Sequence, residues 1–144
     1  MSLLSKSCVY GIRAVLFVAG RPPGGYVSIG EIAKQLGLSF HFLTKILQRL
    51  TDHGLLVSYR GPSGGVALAR PPAEISLLDI VDGIDGTEVF RSCLLGLQGC
   101  GERKPCPLHK SWARQRAEMR RDLAGAMVAD VSRKTRVSGW RLAD

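Results

Sequence analysis

Between Cys93 and Cys106 the chain carries three of its four cysteines, spaced C-x6-C-x5-C, and His109 follows the last of them at C-x2-H. Thiolates and imidazoles are the ligands that hold iron–sulfur clusters and zinc. Gly96, Gly99, Gly101, Pro105 and Pro107 interrupt the same stretch, so neither a helix nor a strand is expected to run through it. Residues 86–109 therefore read as a bent loop that gathers Cys93, Cys100, Cys106 and His109 around one metal centre. Arg91, Arg103 and Lys104 flank the cysteines and favour the thiolate form. An iron–sulfur cluster, 2Fe–2S or 4Fe–4S, suits such a ligand set, and replacing one thiolate by imidazole raises a cluster's potential. Zinc is the alternative, since three Cys and one His also satisfy a tetrahedral ion. The bland reading is a set of incidental thiols, which clustered spacing disfavours.

The rest of the chain has to place this loop and give it something to control. Its 144 residues suffice for one domain with a real core. Twenty Lys+Arg against twelve Asp+Glu leave a net charge of +8, which suits a polyanionic partner. No apolar run reaches the ~20 residues that span a bilayer, and the first apolar run, broken by Arg13, lacks a cleavage pattern. A cytoplasmic protein is expected, without a membrane partner or a small-molecule substrate.

Apolar periodicity predicts a mainly α fold with a small β-hairpin. Leu4, Cys8, Ile12, Val15 and Ala19 share one face of a helix over 3–20, closed by the Pro-Pro-Gly-Gly turn. Ser28 and Glu31 form a capping-box pattern at the start of a second helix that Gly37 ends. Ser39 caps a third, with Leu43, Ile46, Leu47 and Leu50 as its buried stripe and Gly54 as its stop. Two helices joined by so short a turn describe a helix-turn-helix. Two short apolar runs around Gly61-Pro62-Ser63-Gly64-Gly65 then form a hairpin, the wing. Ser76 and Asp79 cap a fourth helix, which completes a winged helix-turn-helix domain at 1–85.

Beyond the loop, 107–132 reads as one long helix with Leu108, Trp112, Met119, Leu123 and Met127 along one side. Such a seam at the end of a chain is expected to pair two copies into a homodimer, unless it folds back on its own domain. Residues 133–144 read as a flexible basic tail.

In a helix-turn-helix the second helix enters the major groove. With its core stripe assigned, the outward residues are Ser39, Phe40, His41, Thr44, Lys45 and Gln48. His41, Thr44 and Gln48 can exchange hydrogen bonds with base edges, and Lys45 suits a guanine or a phosphate. Arg49 suits the backbone, where contacts position the protein without specifying sequence. Arg60, with Ser63 and Gly64 in the wing turn, suits a minor-groove or phosphate contact.

Ser5-Lys6 with Tyr10, the helix-turn-helix, the wing Arg60-Gly-Pro-Ser-Gly-Gly-Val66, the three spaced cysteines and Cys106-Pro-Leu-His109 together resemble the Rrf2 family. This is a family of winged-helix regulators with IscR-like and NsrR-like members, and the resemblance spans roughly residues 3–130. It implies a homodimeric bacterial transcription regulator whose affinity for palindromic promoter DNA depends on a cluster held by the three cysteines. It also implies base reading at His41, Thr44 and Lys45, with Arg60 in the wing. The first cysteine gap is one residue longer than the IscR-like pattern, which leaves the cluster type open. His109 matches the IscR-like histidine in its offset. NsrR-like members take a fourth ligand from the partner's first helix, where Val9 stands here; its neighbour Cys8 is the alternative ligand from the partner subunit, although it also lies on an apolar stripe.

Three functions compete: a cluster-controlled transcription regulator, a zinc-bound or thiol-switch winged-helix regulator, and a non-sensing basic interaction module. An enzyme is not expected. No nucleophile–base pair or carboxylate pair is positioned for catalysis, and the glycines at 61–65 lie in a hairpin rather than between a strand and a helix, so they form no phosphate loop.

Overall fold

The computed structural model describes residues 3–144, so the first two residues of the expected 1–85 domain lie outside the described residues. The order of elements is α1 (Lys6–Ala19), α2 (Ile29–Leu36), α3 (Phe40–Asp52), β1 (Leu56–Tyr59), β2 (Gly65–Leu68), α4 (Leu77–Ile84), α5 (His109–Gly125) and α6 (Val128–Val137). This is a mainly helical winged-helix fold with one antiparallel hairpin, in which Leu56 pairs with Leu68 and Tyr59 with Gly65.

The expected caps form. Ser5, Ser28 and Ser39 each accept a backbone N–H from the first turn of the helix they precede. Ser76 and Asp79 complete a reciprocal capping box on α4. Gly37 ends α2 at φ +68°, a left-handed conformation that costs glycine little. One core then joins these elements. Leu43, Ile46, Leu47 and Leu50 of α3 are buried, each stabilising the fold by about 1.5–3 kcal/mol relative to exposure. They meet α1, which also packs on α4 and α6. Helices α1 and α4 cross closely at Gly11, where a Cβ would stand 2.2 Å from Ile84 Cδ1.

The C-terminal third departs from expectation. The predicted single helix over 107–132 is two helices, because the chain extends at Ala126 and Met127 to pair with the strand-like Ile75–Leu77 segment. Leu77 N–H donates to the Ala126 carbonyl at 2.9 Å, and Val128 N–H to that of Ile75 at 2.8 Å. Gly125, a poor helix former, precedes the break. Helix α6 then enters the first core: Val128 is fully buried, and the buried Ser132 hydroxyl donates to the Leu16 carbonyl at 3.0 Å. A domain boundary at residue 85 therefore does not divide the packing.

Nor do residues 133–144 behave as a free tail. Helix α6 reaches Val137, and the end of the chain returns to α1, where Arg13 donates to the Leu142 carbonyl at 3.1 Å and pairs with Asp144 at 2.7 Å. Tyr10 also bonds to Asp144; that contact draws the carboxylate pKa down and the phenol pKa up.

Candidate metal centre and nucleic-acid interface

The cysteine loop is built on turns rather than on a core. Gly96 and Gly99 take φ of +66° and +79°, which lets the chain double back between Cys93 and Cys100. The result gathers the thiols: the sulfurs of Cys93, Cys100 and Cys106 all lie within 4.8 Å of one another. Cys93 Sγ is 3.7 Å from Cys106 Sγ, and the Cys106 backbone N–H donates to Cys100 Sγ at 3.4 Å. His109, the first residue of α5, brings Nδ1 to 3.5 Å from Cys100 Sγ but stands outside the mutual 4.8 Å set.

The electrostatics of the three thiols differ. Backbone N–H groups of Leu97 and then Leu95 draw the Cys93 pKa down to about 7. At Cys100 the Cys106 N–H acts in the same direction, but desolvation and the adjacent thiols outweigh it and the pKa rises. A cation shared among three such sulfurs would relieve their mutual repulsion. The donor set fits either a cluster or a zinc ion.

Within the subunit, Cys8 lies apart from these three thiols. It sits on the core face of α1, fully buried, and burial, with Asp85 nearby, pushes its thiol up to about 12.

Helix α5 turns a stripe toward the loop and the core. Trp112 Nε1 donates to the Ser92 carbonyl at 3.0 Å, and Arg116 donates to the same oxygen at 2.7 Å. Both line a small pocket with Cys93, Cys100, Cys106 and His109. Met119 and Leu123 pack on the core of their own subunit, Met127 precedes α6 in the bridge to Ser76, and Leu108 remains exposed. The predicted seam is thus largely used within the subunit, because the fold-back of α6 carries α5 against α4.

Elsewhere, α3 and the wing enclose an open cleft of ≈ 500 Å³. Thr44, Gln48, Arg60 and Gly64 line it together, with Phe40 and Tyr59. Ser39, His41, Lys45 and Ser63 are exposed outside that lining. Thr44 also donates to the Phe40 carbonyl at 2.7 Å, and Gln48 to Asp52 at 2.9 Å. Arg49 is placed differently from expectation: it donates to the Ile84 carbonyl at 3.3 Å and so ties α3 to α4. Gly64 has an internal reason to be glycine, since a Cβ there would lie 2.2 Å from the Tyr59 carbonyl oxygen. Sequence reasoning missed the stack of Tyr26 on Tyr59, with centroids 5.3 Å apart, which joins the end of β1 to the segment ahead of α2. It also missed the roles of Trp112 and Arg116. Only the 109, 112, 116 spacing, one helical stripe beside the cysteines, could have shown them.

The family profile described as Rrf2, iron-dependent transcriptional regulator, matches residues 4–134. The chain belongs to the Rrf2 family. Among its relatives, IscR of Serratia proteamaculans is 32% identical over 112 residues, 78% of this chain and 67% of that one. IscR of Escherichia coli is 31% identical over 78% of this chain and 68% of its own. The structure of CymR, described as the global cysteine regulator of B. subtilis, superposes with a TM-score of 0.79 at 26% identity, covering 94% of this chain and 99% of that one. IscR from T. potens does so with a TM-score of 0.73 at 26% identity, covering 92% and 87%. As an Rrf2 protein the chain is a DNA-binding transcription regulator, not an enzyme. Among the described residues no helix is long and apolar enough to cross a membrane.

Proposed function

We propose that this Rrf2 regulator acts in the cytoplasm as a homodimer whose grip on palindromic promoter DNA is set by an iron–sulfur cluster. Cys93, Cys100 and Cys106 would hold the cluster, with His109 as fourth ligand from the first turn of α5. The observation that carries this reading is the convergence of three sulfurs within 4.8 Å in a loop that is otherwise solvent-facing. When bound, such a group supplies a site sensitive to redox state, nitric oxide or iron supply.

The chain's own residues do the rest. Thr44 and Gln48 present hydrogen-bonding groups toward a major groove, flanked by His41 and Lys45, while Arg60 at the wing meets phosphate or the adjacent minor groove. Residues 86–109 form the sensing segment, and α5, which has no fully buried residue, runs from it along the outside of the subunit. The helix and the exposed Leu94, Leu95, Leu97 and Leu108 supply surface for the second copy.

A second reading has its own support. Cys93 and Cys106, 3.7 Å apart, are placed to form a disulfide if an oxidant such as a peroxide takes up two electrons and both thiol protons are released. Zinc bound by the same residues would protect that pair.

Iron and acid-labile sulfide counts on anaerobically purified protein separate the readings. A coloured protein that loses both on Cys106→Ala, and whose affinity for a palindromic promoter fragment changes with cluster removal, is expected. A colourless protein with stoichiometric zinc, refractory to reconstitution, would sink the cluster reading and favour the thiol switch.

A further inference from the structure

The Ser92 carbonyl, one residue before the first metal-binding thiol, receives two donors from a single helix: Trp112 Nε1 at 3.0 Å and an Arg116 terminal nitrogen at 2.7 Å. Together with His109 these side chains stand at i, i+3 and i+7 on α5, so one stripe of the helix both faces the cysteines and grips their backbone. Arg116 has more to give. Its Nε is buried and has no hydrogen-bond partner among the described residues, while its side chain lines the pocket walled by the three cysteines. A buried unpartnered donor is costly, and guanidinium keeps its charge under all ordinary conditions. Its natural complement is the negative charge that accumulates on sulfur once the thiols bind a metal.

We propose that Trp112 and Arg116 form a clamp that positions Cys93 for metal binding, with Arg116 also supplying a charged donor to the thiolate-bound group. Neither residue is a ligand; both act through Ser92 and the sulfur environment. The clamp makes α5 the element that feels occupancy of the loop, because the metal-bearing backbone and the helix share two hydrogen bonds. This inference rests on the metal-binding reading of the cysteines but not on which metal they hold.

Cobalt(II) is the probe, added anaerobically to the reduced, metal-free full chain and followed through its thiolate charge-transfer and ligand-field absorbance. Arg116→Gln should weaken cobalt binding roughly tenfold or more, within the range for residues that support metal ligands. Arg121→Gln removes an equal charge from an exposed position on the same helix and should leave the affinity unchanged. Equal affinity for Arg116→Gln and wild type overturns the clamp, as does an equal loss in the two variants. Should Arg116→Gln fail to fold by far-UV circular dichroism, Trp112→Phe keeps the ring and removes only the indole donor. A severalfold loss of cobalt affinity there supports the clamp, and no loss overturns it. Wild-type protein that binds cobalt through its thiolates yet takes up no iron and sulfide would end the cluster reading while leaving the clamp standing. Absence of cobalt binding in the wild type would end both.

Discussion

The reading helix and the cysteine loop are held in place by opposite means. Helix α3 is capped by Ser39, buries Leu43, Ile46, Leu47 and Leu50, and is tied to α4 through Arg49. The loop carries Leu94, Leu95 and Leu97 to the surface, roughly half exposed, and relies on glycine turns and the hydrogen bonds to Ser92. The first is shaped before it meets DNA, with little ordering cost left to pay on binding. The second has its apolar anchor, Phe90, ahead of the first cysteine and buries no side chain between Cys93 and Cys106, so the free energy of binding a metal there would order it and be felt elsewhere. Under the proposed function this is a division of labour: a surface shaped in advance, and a segment whose state would depend on a ligand.

Substitution should expose the contrast most strongly in stability. In the metal-free protein, Leu50→Ala should lower unfolding free energy by about 2–5 kcal/mol, as for other buried leucines, whereas Leu95→Ala should stay within about 0.5 kcal/mol. Urea titration of the two variants measures this, and similar losses would show that the loop is anchored as firmly as the helix.

On DNA the differences are smaller and sharper. Thr44→Ala should alter base preference by about 1–3 kcal/mol at one position, while Arg60→Ala should weaken specific and random DNA alike and lower the logarithmic salt slope by about 1. Competition binding across salt concentrations separates them. Uniform loss for Thr44→Ala would mean that the base-reading face of α3 lies elsewhere.

The thiols offer the finest comparison. In folded, metal-free protein, iodoacetamide should modify Cys93, Cys100 and Cys106, which are partly exposed, and spare Cys8, which is not. Burial holds the Cys8 pKa at about 12 against 9.0 for a free thiol. Its contribution to stability is therefore complete below about pH 9 and declines as pH rises toward about 12, where the unfolded chain gives up the proton and the folded one does not. Cys8→Ala should flatten that part of the stability–pH curve, as urea midpoints at about pH 8 and about pH 10.5 would record.

Much of this molecule was legible in its residues taken in order. Serine caps, the left-handed stops at Gly37 and Gly54, and the apolar stripe of α3 are local signals, acting across three or four residues where backbone hydrogen bonding is decided. The convergence expected of the loop cysteines was legible for a similar reason, since glycine turns between closely spaced thiols leave the chain few ways to run. Packing between distant segments decided the rest. Nothing within 107–132 says that Ala126–Val128 will pair with Ile75–Leu77, yet that pairing breaks the long helix and sends α6 into the first core. It also turns Met119 and Leu123 inward. Periodicity identifies the apolar face of a helix but not the surface that will cover it. Trp112 and Arg116 acquire their role for the same reason: the carbonyl they hold is about twenty residues away in sequence, and only the folded chain brings it within 3.0 Å.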